Sequence, residues 1–195
     1  MNGNMKSNIL TLFTIVAIGH LSCKRLSENQ LEIRRVIGEK VELGISMEIS
    51  NKERAITIGE YINQYRFISI VYLQNGCAPC YPKFMEWQEQ IASMELPPDY
   101  TVLFVIQGER YTQFIEEVND YARENLGIDS VENNFPVAMD PDFDFLSSNH
   151  TIPRWIIDRS VLIDSQNRIR MVGAPWATPE MTELFQRICS EGKDD

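Results

Sequence analysis

The chain has 195 residues, with 28 acidic against 18 basic side chains and a formal net charge of −10. That balance disfavours nucleic acid as a partner and supplies no polybasic patch for a membrane surface. No repeat or low-complexity tract interrupts the sequence.

Lys6 is the only charge in the first 22 residues, and Ile9 to Ile18 is an apolar run ending near Gly19. Its length suits the apolar region of a secretory signal and is short for a membrane span, which needs about 20 apolar residues. Met5-Lys6-Ser7-Asn8 reads as a natural start for such a signal. His20-Leu21-Ser22-Cys23 resembles a bacterial lipobox, with His20 where the pattern carries Leu, while Ala17-Ile18-Gly19 offers an ordinary small-x-small cleavage site. The expectation is a signal peptide over residues 1–22 and a lipid on Cys23, because a cysteine directly after the apolar run would otherwise be a coincidence. Either site gives an exported chain: a periplasm-facing membrane lipoprotein in the first case, a soluble periplasmic protein in the second. Losing Lys6 with the leader makes the net charge −11, so membrane attachment would rest on the lipid at Cys23. One acyl chain anchors marginally, whereas a multiply acylated cysteine anchors firmly. Residues 23–35 then read as the anchor cysteine and a polar tether, 36–190 as a single domain with a sizeable core, and 191–195 as an acidic tail.

Within the domain, Ile33 to Ile49 alternates apolar residues around Gly38 and Gly44, which predicts a short β-hairpin. Phe67–Leu73 is nearly continuously apolar and β-branched, the pattern of a strand covered on both faces. Tyr81–Met94 repeats Phe84, Trp87, Ile91 and Met94 as a helical stripe with Gln88 outward, and Pro82 is tolerable because it falls in or just past the first turn. Pro97-Pro98-Asp99 ends that helix, and Tyr100–Ile106 is a second buried strand. Tyr111, Ile115, Val118 and Ala122 mark a helix closed by Gly127. Phe135–Met139 is a short strand, followed by a helical piece around Phe143 and Leu146. Val161–Asp164 and Ile169–Val172 flank Ser165-Gln166-Asn167-Arg168 as a hairpin. Thr178 is a good N-cap and Pro179 a good first residue for a last helix with Met181, Leu184, Phe185 and Ile188 on its apolar face.

Between the first buried strand and the helix after it lies Cys77-Ala78-Pro79-Cys80. The first turn of a helix has backbone N–H groups without intrahelical partners, and these favour an anion beside them. A cysteine placed there has its thiol pKa lowered, and a second cysteine three residues on can close a disulfide with it. Pro79 suits the turn because its missing N–H has no intrahelical partner to lose. This reading makes Cys77 the attacking thiol and Cys80 the resolving one. Zinc is poorly served, since it needs about four ligands. Beyond the leader the chain offers His150, Cys189 and no second CxxC. The other bland reading is a pair of structural cysteines. A bridge across so short a loop adds less than the ~3 kcal/mol expected for a 15-residue loop, which favours chemistry over a mere staple.

The order hairpin, β-α-β-α-β, short helix, hairpin and final helix is that of the thioredoxin fold with an insertion before its C-terminal half. From Ile33 to Ile188 the chain resembles thioredoxin-like lipoproteins of didermic bacteria, related to the TlpA-like thiol–disulfide oxidoreductases. The residues that carry the resemblance are Ser69–Trp87 with Gly76-Cys77-Ala78-Pro79-Cys80, the Tyr100–Ile106 strand, Phe135-Pro136-Val137, and Val161–Asp164 through Arg170-Met171-Val172-Gly173. It implies an α/β fold with a central mixed sheet flanked by helices, a redox-active Cys77–Cys80 disulfide, no organic cofactor and no metal. The implied partners are protein thiols or disulfides and a dithiol-carrying redox partner.

Four departures bear on function. Gly76 stands where active relatives usually carry Trp. Asp158 occupies the place of the family's cis-proline, and Pro153 comes five residues early unless Arg154–Asp158 is an insertion. Lys83 replaces a glutamate common in the TlpA-like branch; it is either a charge that favours a thiolate or a solvated surface lysine. The Phe67–Leu73 strand holds no acid to take a proton from Cys80. Two other readings of the same fold are weaker. A peroxidase needs Thr or Ser where Gln74 stands, and copper delivery uses CxxxC with a distant His, whereas here the spacing is one short and His150 reads as a loop residue. Arg154, Trp155, Arg159 and Trp176 either line a cleft facing the motif or are ordinary core and surface residues. Cys189 reads as a buried structural thiol. The alternative to an enzyme is a binding or structural lipoprotein in which the CxxC persists as a stabilising disulfide.

Overall fold

A computed structural model describes residues 26–44, 48–50, 55–76, 79–153 and 160–191. The leader, Cys23, Cys77, Ala78, Arg154–Arg159 and the last four residues lie outside the described residues.

The first described helix, α1 (Glu28–Val36), falls in the stretch read as a tether. Among the described residues the predicted hairpin around Gly38 and Gly44 does not form. After α1 the chain runs beside β7, with a bridge between Lys40 and Arg168, the Gly38 N–H donating to the Ile169 carbonyl at 2.8 Å and the Ile169 N–H donating to the Glu39 carbonyl at 2.9 Å. The hairpin is instead β1 (Glu48–Ser50) with β2 (Ala55–Thr57), antiparallel, with Ile49 opposite Ile56. The misreading has a simple cause: Ile33 and Val36 are spaced three apart as on a helix, but with Val41 they also pass for strand alternation. Helix α2 (Ile58–Ile62) follows at once, started by a capping box in which the Glu60 N–H donates to Thr57 Oγ1 at 3.3 Å and the Thr57 N–H donates to Glu60 Oε2 at 3.1 Å.

The central elements fall where the apolar runs place them: β3 (Phe67–Gln74), α3 (Cys80–Ala92), β4 (Tyr100–Gln107), α4 (Tyr111–Leu126), β5 (Val137–Asp140) and α5 (Asp144–Ser148). The hairpin β6 (Val161–Asp164) and β7 (Ile169–Val172) and helix α6 (Pro179–Ser190) complete the order. The Met181 N–H donates to Thr178 Oγ1 at 3.3 Å, so the predicted N-cap is in place. The strands form one mixed sheet in the order β2-β1-β5-β4-β3-β6-β7, with β3, β4 and β5 parallel and β6 antiparallel to β3.

Because side chains alternate across a strand, β3 feeds two cores. Phe67, Val71 and Leu73 pack with Phe84, Trp87 and Ile91 of α3, Phe114 and Val118 of α4, and Phe185 of α6. Ile68, Ile70 and Tyr72 face the other way, with Val41, Ile58, Tyr61 and Phe145. The helical stripes need three corrections. Gln88 is buried, not outward: its amide donates to Asn133 Oδ1 at 2.7 Å, and its carbonyl oxygen accepts from the Asn134 N–H at 2.9 Å. On α4 Phe114 is buried together with Val118 and Ala122, whereas Tyr111 and Ile115 are only half-buried. Phe143 is 49% exposed ahead of α5, while Phe145 is buried and stacks on Tyr72 at 5.5 Å.

Candidate functional site

The CxxC sits at the C-terminal end of β3, a strand hydrogen-bonded on both sides and buried along nearly its whole length. Gln74 lies opposite Gln107 of β4, and the Asn75 N–H donates to the Gln107 carbonyl at 3.0 Å. The chain then turns at Gly76, whose φ of +72° is one that only glycine adopts without strain. This accounts for the first departure: a tryptophan at residue 76 would have to adopt the left-handed backbone. Cys77 and Ala78 lie outside the described residues, and the chain is described again at Pro79, the N-cap of α3.

Cys80 is the first residue of α3 and is half-buried, packed against the core that Phe84 and Trp87 build. The N-cap residue, Pro79, makes no side-chain capping bond. Pro79 and Pro82 have no N–H, so the amide hydrogens of the first turn are those of Cys80 and Tyr81.

Sequence reasoning missed the polar cluster around the turn. The Gly76 N–H donates to the Tyr81 hydroxyl and to Asn75 Oδ1, each at 2.9 Å. The Tyr81 hydroxyl donates to Glu117 Oε2 on α4 and lies 3.2 Å from Asn75 Oδ1. Gln113, one turn before Glu117, donates to its Oε1 at 2.9 Å. Burial, reinforced by the hydrogen bond to Glu117, pushes the Tyr81 pKa up to about 12. At neutral pH the phenol is therefore protonated and can donate.

The other candidates separate. Lys83 is 43% exposed, pairs with Glu86 at 3.1 Å further along α3, and lies over the Trp87 ring at 5.5 Å. Its charge is engaged away from Cys80, which is the solvated-lysine reading. Trp176 is buried and meets Trp87 edge to face, so it is core and not a cleft wall; Arg154, Trp155 and Arg159 lie outside the described residues. Pro153 is buried, and no peptide bond among the described residues is cis, so Pro153 supplies no cis-proline; Asp158 lies outside them. Cys189 is buried on α6 as expected, and His150 is exposed in the turn after α5. A groove of about 280 Å³ runs along the C-terminal half of α3, lined by Met85, Ala92, Leu126 and Ile128 among others, and Cys80 is not part of its lining.

No protein-family model matches the sequence, and no curated protein matches it. Solved structures do. The thioredoxin domain of a thiol-disulfide oxidoreductase from Bacteroides vulgatus superposes with a TM-score of 0.52 at 11% identity, covering 78% of this chain and 96% of that one. The fold is thioredoxin-like. A protein named as a thiol:disulfide interchange protein, DsbE, from Chlorobium tepidum has a TM-score of 0.50 at 16% identity, covering 78% of this chain and 95% of that one. In this sheet the hairpin of β1 and β2 extends the β5 edge, and α5 lies between β5 and β6.

Proposed function

We propose that this chain carries out thiol–disulfide exchange through Cys77 and Cys80. The observation that supports it best is Cys80 at the first residue of α3, the helix that follows β3 in a thioredoxin-like sheet. The amide hydrogens of Cys80 and Tyr81 and the N-terminal end of the helix dipole favour negative charge on a sulfur at residue 77. The Cys77 thiolate attacks one sulfur of a substrate disulfide; a Cys77–substrate bond forms as the other substrate sulfur leaves as a thiolate. The Cys80 thiolate then attacks the Cys77 sulfur, closing the Cys77–Cys80 disulfide and releasing the second substrate thiolate. Two electrons pass from the protein dithiol to the substrate, and a second dithiol carrier returns them. Run backwards, the same steps oxidise a substrate dithiol.

The leader and the cysteine at 23 support export with a lipid on Cys23 as the membrane attachment. Among the described residues no helix is long and apolar enough to cross a membrane.

The test is the reduction potential of the Cys77–Cys80 pair in the full chain, by alkylation in defined redox buffers with each cysteine peptide read separately. A potential near −270 mV marks a reductant and one near −120 mV an oxidant; a bridge that resists reduction well below about −300 mV until the protein unfolds overturns exchange chemistry and leaves a structural disulfide. A Cys80→Ser variant should accumulate mixed disulfides through Cys77.

A further inference from the structure

We propose that the Tyr81 hydroxyl, held by Glu117, is a positioning group that staples the ends of the CxxC loop together and biases the pair toward the disulfide. The inference rests on the exchange reading. The loop that contains both cysteines begins at Gly76 and ends at Tyr81, and the Gly76 N–H to Tyr81 hydroxyl bond of 2.9 Å joins those two ends. Its anchor comes from a different element: Glu117 of α4 accepts the phenolic proton, and Gln113 fixes the other carboxylate oxygen at 2.9 Å. A charge-assisted acceptor makes this the strongest bond in the cluster. The ring packs against Phe114 and Tyr121, with centroids 6.2 and 6.1 Å away, so the hydroxyl is set in place by helix packing and not by the motif itself.

Two residues that look unrelated in the sequence become one device. Gly76, with its left-handed backbone, and Tyr81, next to the second cysteine, share a hydrogen bond. A loop whose ends are already joined loses less freedom when the sulfurs bond, which raises the effective concentration of one thiol at the other. The joined ends therefore make the disulfide harder to reduce.

The test is the equilibrium constant of the Cys77–Cys80 pair against glutathione in full-length wild type, Tyr81→Phe, Glu117→Gln and Glu117→Ala. Tyr81→Phe keeps the ring and removes the staple; it should shift the equilibrium toward the dithiol by about threefold to tenfold, tenfold being about 30 mV for a two-electron couple. Glu117→Gln keeps an acceptor for the phenol, so its shift should have the same sign and be smaller than that of Glu117→Ala. A folded Tyr81→Phe within twofold of wild type overturns the staple. If Tyr81→Phe does not fold, the two Glu117 variants decide, and no shift in either overturns it. A wild type with no reversible couple fails the exchange reading itself and the staple with it, whereas a wild-type couple with unmoved variants fails the staple alone.

Discussion

Trp87 and Trp176 meet edge to face, with ring centroids 5.8 Å apart and planes at 70°. Trp87 lies on α3 seven residues after Cys80, and Trp176 lies on the loop between β7 and α6. Their contact therefore ties the cysteine-bearing helix to the far end of the sheet. Truncation of either ring to alanine should destabilise by about 3–5 kcal/mol, the usual range for a buried Trp. A double-mutant cycle in urea should return a coupling of about 0.5–1.5 kcal/mol, as expected for an aromatic pair. Strict additivity would mean that each ring merely fills space. The Trp176 indole N–H has no hydrogen-bond partner among the described residues, so Trp176→Phe should cost much less than Trp176→Ala.

Glycine substitution should separate backbone strain from crowding. A Cβ at Gly76 would meet nothing within 4 Å, so Gly76→Ala carries strain alone, about 1 kcal/mol, and Gly76→Asn less because Asn tolerates the left-handed region. At Gly173, with φ +101°, a Cβ would lie 2.6 Å from Met181 Cε. Gly173→Ala should therefore cost more than Gly76→Ala in urea unfolding. Equal costs would show that Met181 swings aside freely.

What could be read without coordinates was whatever is local. The run Phe67–Leu73 and the pair Thr178-Pro179 each carry their meaning within a few residues, and strand and cap fell in place. The α2 helix was not read, because five residues are too few to show a period, although Thr57 and Glu60 stand at capping-box spacing. Gln88 was misread because its burial depends on Asn133 and Asn134, more than forty residues away, which satisfy an amide that would otherwise need water. The Tyr81–Glu117 contact was out of reach for the same reason: it joins positions 36 apart through the packing of α3 on α4, and no spacing rule encodes it.

Asp140 carries a pH prediction. Its buried carboxylate accepts from the Asp144 N–H at 2.9 Å and the Phe145 N–H at 3.2 Å, capping α5. Burial raises its pKa, and the two backbone bonds only partly oppose that. With the folded value above the unfolded one, the stabilising contribution is full below about pH 4 and is lost as pH rises through the folded value. Asp140→Asn keeps one of the two acceptor oxygens and cannot ionise. Its stability relative to wild type should rise between pH 4 and pH 7 in parallel urea titrations. A relative stability that falls over that interval would mean the carboxylate is favoured by its bonds. Asp140→Ala leaves both N–H groups without their acceptor and should cost about 1–2 kcal/mol at pH 4 and less at pH 7.

The Tyr100 hydroxyl donates to Ser69 Oγ at 2.9 Å, satisfying the one polar side chain in an otherwise apolar stretch of β3. Tyr100→Phe and Ser69→Ala should each cost about 1–2 kcal/mol by orphaning a buried partner, and the double variant should cost less than their sum. Burial drives the Tyr100 pKa far above its ordinary value. A raised folded pKa means that the stability is present below about pH 10 and lost as pH rises beyond it toward the folded value. The gap between wild type and Tyr100→Phe should therefore be constant from pH 7 to 9 and close above pH 10, because only the wild type must hold this phenol neutral in a buried site. Urea midpoints of the two proteins across that range read the gap directly. A gap that stays constant above about pH 10 would show that the hydroxyl is not buried in solution.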